Sequence, residues 1–167
     1  MRSDELASPL APGSLAPEFG LPSDPDGGRL ALTGLRGRPV VLAFYPADWS
    51  PVCGDQIVEL NGRLEAFARR GAAVVGVSVD GPWSHAAFAA ARGIGFPLLA
   101  DFEPKGSVAR AYGVYRAKDG IADRALFLLD ADGVVRWREV VEPWINPGVD
   151  GVLAALDALP APVEVSP

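Results

Sequence analysis

The sequence is poor in two side chains that build many metal sites and crosslinks, because its 167 residues include one cysteine and one histidine. A single cysteine excludes an internal disulfide, and a single histidine excludes zinc and iron sites that need several imidazole ligands. A calcium or magnesium site made only of carboxylates is not excluded by this count. The acidic stretch Asp130-Ala131-Asp132-Gly133 is far shorter than a calcium-binding loop and predicts a hairpin turn. The sequence therefore implies no metal and no cofactor.

Long apolar runs and clusters of basic residues are also missing. No stretch approaches the roughly 18 consecutive apolar residues of a transmembrane helix. The 15 lysines and arginines stand against 21 acidic residues, for a net charge of −6, and they are scattered. Such a chain binds nucleic acids and anionic membranes poorly. No apolar run of signal-peptide length follows Met1. We therefore expect a cytoplasmic protein that binds neither nucleic acid nor membrane.

Length and composition predict one globular domain with a flexible segment at each end. Residues 1–15 lack hydrophobic periodicity, are rich in proline, alanine and serine, and predict a flexible N-terminal arm. Residues 160–167 have a similar character and predict a flexible C-terminal tail. Residues 16–159 contain no internal repeat and no linker, so they predict a single domain.

Two hydrophobic periods alternate along this domain. Continuous apolar runs at 39–45 and 73–79 predict strands that are buried on both faces. Apolar residues spaced by three and four predict a helix over 50–70. Further helices are predicted at 83–92, 105–112 and 151–159, and an Asp-Gly turn predicts a hairpin between 124–129 and 134–141. The order predicts an α/β fold with a central mixed β-sheet and helices on both faces. This outline matches the thioredoxin-like fold, although periodicity alone leaves other α/β folds open.

The only cysteine, Cys53, follows the first buried strand and lies near the predicted start of a helix. Pro51 is typical of a first helical position, and Ser50 is a typical helix cap. Free backbone N–H groups and the positive end of the helix stabilise a thiolate at such a position. An inert, buried thiol remains an equally ordinary interpretation of position alone.

The segment Pro46-x-x-x-Ser50-x-x-Cys53 resembles the Pro-x-x-x-(Thr/Ser)-x-x-Cys motif of the peroxiredoxin family. Arg124 stands where that family places its active-site arginine. Over about residues 12–158, further segments resemble the family in the same order: Ala16-Pro17-Glu18-Phe19, Val74-Val75-Gly76-Val77-Ser78-Val79-Asp80, Phe96-Pro97-Leu98-Leu99-Ala100-Asp101 and Tyr112-Gly113-Val114-Tyr115. The chain is similar to the alkyl hydroperoxide reductase and thiol-specific antioxidant type. Within it, the chain resembles the bacterioferritin-comigratory and small one-cysteine bacterial groups.

The resemblance implies a thioredoxin-like fold and a thiol-dependent peroxidase that reduces hydrogen peroxide and organic hydroperoxides through a sulfenic acid at Cys53. Arg124 would stabilise the thiolate and orient the peroxide, Ser50 would hydrogen-bond the peroxide, and Pro46 would shield the site from water. The backbone N–H groups of Val52 and Cys53 would complete the substrate pocket, which Trp49 would border.

The sequence departs from the family pattern in having no second, resolving cysteine. Val58 occupies the position five residues after Cys53, so no short pairing within the helix can form. Ser84 stands where similar sequences often have a resolving cysteine, so the chain is either a natural one-cysteine enzyme or a form with cysteine replaced at 84. Position 56 is often glutamate in relatives, and Gln56 is expected to make neutral hydrogen bonds near the helix start.

Without a resolving cysteine, the sulfenic acid would be reduced by an external thiol: thioredoxin, a glutaredoxin-like protein or a small thiol. Relatives suggest a homodimer, which an exposed apolar patch that includes Trp49 or Trp83 would support. The alternative function is a redox-relay or holding-chaperone protein on the same fold. Two polar residues have open roles. His85 is predicted to cap a helix or face solvent, and the alternative is that it assists resolution or thiol exchange. Asp48 either anchors its loop or is a solvated turn residue.

Overall fold

Apolar strands form the centre of the computed structural model. It describes residues 8–160, except for the side-chain surroundings at positions 53 and 54. In chain order the strands are β1 (Gly20–Pro22), β2 (Arg29–Ala31), β3 (Val40–Phe44), β4 (Ala73–Ser78), β5 (Leu98–Ala100), β6 (Tyr115–Arg116), β7 (Ile121–Ala122), β8 (Arg124–Leu129) and β9 (Val135–Val141). The helices are α1 (Pro51–Gly62), α2 (Leu64–Arg69), α3 (Pro82–Arg92), α4 (Ser107–Ala111) and α5 (Asp150–Asp157), and a 3-10 helix spans Leu32–Leu35.

The central sheet has five strands in the order β5-β4-β3-β8-β9. Strands β3, β4 and β5 run parallel to one another, whereas β8 is antiparallel to β3 and β9 is antiparallel to β8. Every residue of β3 and β8 is buried. This burial is the physical reason for their continuous apolar runs, because both faces of a central strand are covered. The mixed sheet confirms the predicted fold class.

Alternate residues of β3 point into two separate cores. Val41 and Ala43 pack with apolar residues of α1, α2, α3 and α5 on one face. Leu42 and Phe44 pack on the other face, where α4, the 3-10 helix and β1 supply the cover. Helices therefore lie on both faces of the sheet, as predicted. Among the described residues, no helix is long and apolar enough to cross a membrane.

Part of the predicted N-terminal arm pairs with the folded domain. The Gly13 N–H donates to the Val135 carbonyl at 2.7 Å, and the Val135 N–H donates to the Ser14 carbonyl at 2.9 Å. Leu10 is partly buried against the core. Residues 1–7 and 161–167, the outer parts of the predicted arm and tail, lie outside the described residues. The flexibility of the arm stays a prediction.

The predicted helix over 50–70 is two helices. Arg63 separates α1 from α2 with φ −113° and ψ 13°, outside the helical region. Asn61 and Gly62 precede it, and both are weak helix formers, so the interruption follows from local propensity. The small β1–β2 and β6–β7 hairpins were not predicted, because strands of two or three residues are too short to show a period.

Candidate active site

The ends of two central strands bring the sequence-predicted site residues to one edge of the sheet. Phe44 pairs with Ala125, so the C-terminal end of β3 lies beside the N-terminal end of β8. β3 leads directly into buried Pro46, and β8 begins with Arg124. The antiparallel register thus places the Pro46 loop and Arg124 next to each other, although 78 positions separate them in the sequence.

Helix α1 begins directly after this loop. Pro51 is its first residue and Cys53 its third, which confirms the predicted helix start. Ser50 directly precedes the helix and Val52 is half-buried in its first turn. The first backbone N–H groups of a helix have no partner within it and carry the positive end of its dipole. The backbone of Cys53 therefore lies where a helix stabilises an anion.

Arg124 is almost fully buried, with 1% of its surface exposed. Its Nη1 donates to Gln56 Oε1 at 2.8 Å, and its Nε donates to the Pro143 carbonyl at 2.8 Å. A guanidinium is planar and cannot lose its charge in a protein, so these bonds fix a permanent positive charge. Gln56 belongs to the turn of α1 that follows Cys53, which connects the arginine to the predicted nucleophile's helix.

Gln56 forms a hydrogen bond near the helix start, as predicted, but the donor is the Arg124 guanidinium, so the bond is charge-assisted and not neutral. It is 1% exposed, and the arginine donor identifies its accepting atom as Oε1. Its Nε2 group is buried and has no hydrogen-bond partner within the part of the chain that the structure describes. The side chain thus contacts the buried guanidinium through an amide, a group without charge.

Asp48 and His85 form a buried pair below the loop. His85 is 3% exposed and Asp48 is 0% exposed, and His85 Nδ1 lies 2.8 Å from Asp48 Oδ2. The prediction that His85 caps a helix or faces solvent is wrong. For Asp48 the anchoring alternative is confirmed. The one sequence signal for His85 is its spacing of three from Phe88, which puts both on the buried face of α3.

Two hydroxyl groups complete the surroundings of Asp48. Tyr45 donates to Asp48 Oδ1 at 2.7 Å, and Ser84 donates to Oδ2 at 2.9 Å. Burial, together with the nearby Asp48 charge, holds the pKa of Tyr45 well above its usual range. Tyr45 therefore remains a hydrogen-bond donor across the accessible pH range. Ser84, the position suggested for a resolving cysteine, contacts the loop that leads to Cys53.

Asp48, Asp80 and His85 are the one group of three metal-binding side chains found among the described residues, with ligand atoms within 4.8 Å. Their atoms are already engaged. Asp80 Oδ2 accepts from the Asp48 N–H at 2.8 Å and from Ser78 Oγ, and His85 Nδ1 faces Asp48. A metal would have to replace these bonds, so the group is better described as a hydrogen-bond network.

Trp49 lies on the outer side of the loop and is 52% exposed. Its ring packs edge-on against Phe88, with 5.3 Å between ring centroids, and the Arg92 guanidinium lies 5.9 Å above it. Its φ of 36° is the one positive value among the described non-glycine residues. Trp49 thus borders the loop and packs on α3, and its predicted contact with substrate stays a prediction.

Comparison with known proteins identifies the family of the chain. Residues 12–138 match the AhpC/TSA family. The chain is 36% identical over 132 residues to alkyl hydroperoxide reductase E of Mycobacterium tuberculosis, covering 78% of this chain and 86% of the relative. It is 37% identical over 155 residues to mouse peroxiredoxin-2, covering 87% and 77%.

Solved structures give the same result. The crystal structure of peroxidoxin BcpB from Mycobacterium tuberculosis superposes with a TM-score of 0.78 at 31% identity, covering 90% of this chain and 98% of that one. The reduced 2-Cys peroxiredoxin of Plasmodium vivax gives 0.80 at 32% identity, covering 90% and 82%. The chain therefore belongs to the AhpC/TSA family of peroxiredoxins and is a thiol-dependent peroxidase.

Proposed function

We propose that Cys53 is the peroxidatic residue of a one-cysteine peroxidase that an external thiol recycles. One observation carries the proposal: the only cysteine of the sequence is the third residue of α1, and the buried Arg124 is bonded to the following turn of the same helix. A helix start and a fixed guanidinium are two independent sources of positive potential, and both favour a thiolate.

In the first step, the Cys53 thiolate donates an electron pair to the terminal oxygen of the peroxide. A sulfur–oxygen bond forms as the oxygen–oxygen bond breaks, and the leaving oxygen takes a proton to give water or an alcohol. The sulfur is oxidised by two electrons to a sulfenic acid, and the peroxide is reduced by two. Hydrogen peroxide and organic hydroperoxides share this chemistry.

The surrounding groups act on the negative charge that moves from sulfur to the leaving oxygen. Arg124 supplies a fixed cation, Ser50 a hydroxyl donor, and the backbone N–H groups of Val52 and Cys53 a positive helix end. Pro46, to which the family resemblance assigns the shielding role, is buried in the loop after β3. The positions of these residues at the shared edge of β3 and β8 support the proposed roles.

Recycling requires two external thiols, because the sequence contains no second cysteine. The first attacks the sulfenic sulfur and releases water, leaving a mixed disulfide. The second attacks that disulfide, frees the Cys53 thiol and leaves as an oxidised external disulfide. Thioredoxin, a glutaredoxin-like protein or a small thiol fits this role, in the cytoplasm, where such thiols are kept reduced.

A homodimer is supported by the apolar surface near the site. Trp83 is 76% exposed and Trp49 is 52% exposed, and these exposed rings support the proposal. Trp144 and Ile145 are also exposed and directly follow Pro143, whose carbonyl accepts from Arg124. Association through this surface would cover side chains that otherwise remain in water.

The test is rapid mixing of the reduced protein with one equivalent of hydrogen peroxide, followed by tryptophan fluorescence and by trapping of sulfenic acid. We expect a fast phase and a trapped sulfenate at Cys53, and neither in the Cys53→Ser variant. A reaction no faster than that of a free small thiol would contradict the proposal. Holding of unfolded proteins that survives in Cys53→Ser would favour the chaperone alternative.

A further inference from the structure

We propose that the buried Asp48–His85 pair is a positioning device for the peroxidase reaction, in which a doubly protonated His85 holds Asp48 and thereby the Trp49–Ser50 backbone in front of α1. This inference rests on the proposed function of Cys53. Neither residue belongs to the Pro46-Ser50-Cys53-Arg124 set that the proposed mechanism uses.

The charge state of His85 follows from its two neighbours. Its Nε2 lies 3.0 Å from the Leu99 carbonyl oxygen, which can only accept, so Nε2 carries a proton. Its Nδ1 lies 2.8 Å and 3.0 Å from the two oxygens of Asp48. Tyr45 and Ser84 each donate one bond to these oxygens, and the Tyr45 hydroxyl also lies 3.3 Å from Nδ1. An ionised Asp48 with the proton on Nδ1 satisfies all of these contacts, so the proposal assigns the ring as an imidazolium.

The pair connects two elements, β5 and α3, to the loop. Leu99 belongs to β5, His85 to α3, and Asp48 to the connection between β3 and α1. The Asp48 backbone N–H also donates to Asp80 Oδ2 at 2.8 Å. Both the backbone and the side chain of Asp48 are therefore hydrogen-bonded to groups that lie between β4 and β5 in the sequence. This is the edge of the sheet at which the predicted site residues meet.

What Asp48 holds in place is an unusual piece of backbone. The next residue, Trp49, has a φ of 36°, which a non-glycine residue adopts only when its surroundings impose it. The Ser50 N–H then donates back to the Asp48 carbonyl. The position of the Ser50 hydroxyl therefore depends on Asp48 remaining where His85 places it. Peroxide orientation is sensitive to such displacements, whereas thiolate formation depends on the helix and on Arg124.

The proposal separates two reactions of the same sulfur. We expect the rate constant with hydrogen peroxide to fall about 10- to 100-fold in His85→Gln and in Asp48→Asn. Alkylation of Cys53 by iodoacetamide, which needs a thiolate but no oriented peroxide, should change less than about threefold. Because the residues act as a unit, the double variant should lose no more than about threefold beyond the slower single variant.

Asp101→Asn is the matched control. Asp101 is also a buried carboxylate, 1% exposed, but it accepts from the backbone N–H groups of Val108 and Ala109 at α4. Asp101→Asn should lower the melting temperature about as much as His85→Gln does. It should not slow the peroxide reaction by more than about threefold. Equal slowing in Asp101→Asn and His85→Gln would overturn the positioning role, as would peroxide and alkylation rates that fall together.

The single histidine gives a direct spectroscopic readout. In protein labelled with ¹⁵N in the imidazole ring, we expect both nitrogens of His85 to be protonated at neutral pH in the wild type. A neutral ring would overturn the proposal. If wild-type protein reacts rapidly with peroxide and the variants do too, only this inference fails. If wild-type protein reacts no faster than a free thiol, the proposed function fails, and this inference fails with it.

Discussion

The active-site Arg124 contacts the side-chain amide of Gln56. The residue at position 56 therefore affects how much of the guanidinium charge is neutralised. Arg124 donates to Gln56 Oε1 and to the Pro143 carbonyl, and both acceptors are uncharged. A glutamate at 56 would place a negative charge in the same contact. A thiolate close to the guanidinium would then experience a smaller positive potential.

We therefore expect Gln56→Glu to raise the pKa of the Cys53 thiol, because the added negative charge disfavours the thiolate. The peroxide reaction should slow accordingly at acidic pH, where the thiolate fraction limits the rate. The pH dependence of iodoacetamide alkylation measures this pKa. Glu59 is exposed on the same helix, so Glu59→Gln is the control for a general change in charge. This variant should leave the pKa of the Cys53 thiol unchanged. A lower pKa in Gln56→Glu would contradict the argument.

The hydroxyl of Ser84 donates to Asp48, so position 84 contacts the loop that leads to the cysteine helix. We expect Ser84→Cys to form a disulfide with Cys53 after one equivalent of peroxide. A sulfenic acid condenses with an accessible thiol in the same molecule. Mass spectrometry under non-reducing conditions detects the loss of two hydrogens. The Cys53→Ser/Ser84→Cys double variant should show no such loss, and a persistent sulfenate in Ser84→Cys would show that the two positions do not meet.

The sequence indicates some site residues more clearly than others, for a physical reason. Cys53 and Ser50 were placed by helix-start signals that act over a few residues, and the resemblance supplied the role of Arg124. The Asp48–His85 pair had no such signal. It forms because β5, α3 and the loop after β3 converge, and a contact between residues 37 positions apart depends on the complete sheet order.

At the level of elements, the β8–β9 hairpin depends on one carboxylate. Asp130 accepts from the backbone N–H groups of Asp132 and Val134 at 2.9 and 3.0 Å, and its Oδ2 accepts from Arg136 Nε at 2.6 Å. This confirms the prediction that the Asp130-Ala131-Asp132-Gly133 stretch is a hairpin turn. Burial raises the pKa of Asp130, but these bonds outweigh it and the net shift is downward.

We expect Asp130→Ala to lower the free energy of unfolding by about 1–2 kcal/mol at neutral pH, because two turn bonds and an ion pair are lost. A folded-state pKa below the unfolded value means that Asp130 stabilises the fold above the unfolded pKa. That contribution disappears as pH falls through the folded pKa. Denaturant unfolding at pH 7 and near pH 3 should therefore show a smaller difference between wild type and variant at the acidic pH. Asp132→Ala serves as the control and should stay within about 0.5 kcal/mol of wild type.

The elements themselves were predicted best where burial is complete. β3, β4 and β8 have continuous apolar runs because both of their faces are covered, and the sequence predicted all three. The interruption at Arg63 was missed, because the apolar spacing from Ile57 to Phe67 continues across it. Helix periodicity reports which face is buried and does not report whether the backbone remains helical between buried positions.

At the scale of the whole molecule, the exposed tryptophans predict association. We expect the protein to sediment as a dimer at micromolar concentration, because burial of the exposed Trp83 side chain favours contact between copies. Trp83→Glu should shift the population to monomer in sedimentation velocity experiments. Leu15→Glu changes an equally apolar residue, 64% exposed and paired with Val134, and should leave the dimer intact. A wild-type monomer at all concentrations would contradict the prediction.

The pairing of the N-terminal segment with β9 affects how the molecule behaves in a crowded solution. β9 is an outer strand of the central sheet, and the outer strand of a sheet is where another chain can add by backbone pairing. Gly13, Ser14 and Leu15 occupy the first part of that strand through their bonds to Val135 and Val134. Charged residues follow along the strand at Arg136, Arg138 and Glu139. The chain thus protects its own sheet from strand addition, and shortening it past residue 15 is expected to promote aggregation before it affects the chemistry of Cys53.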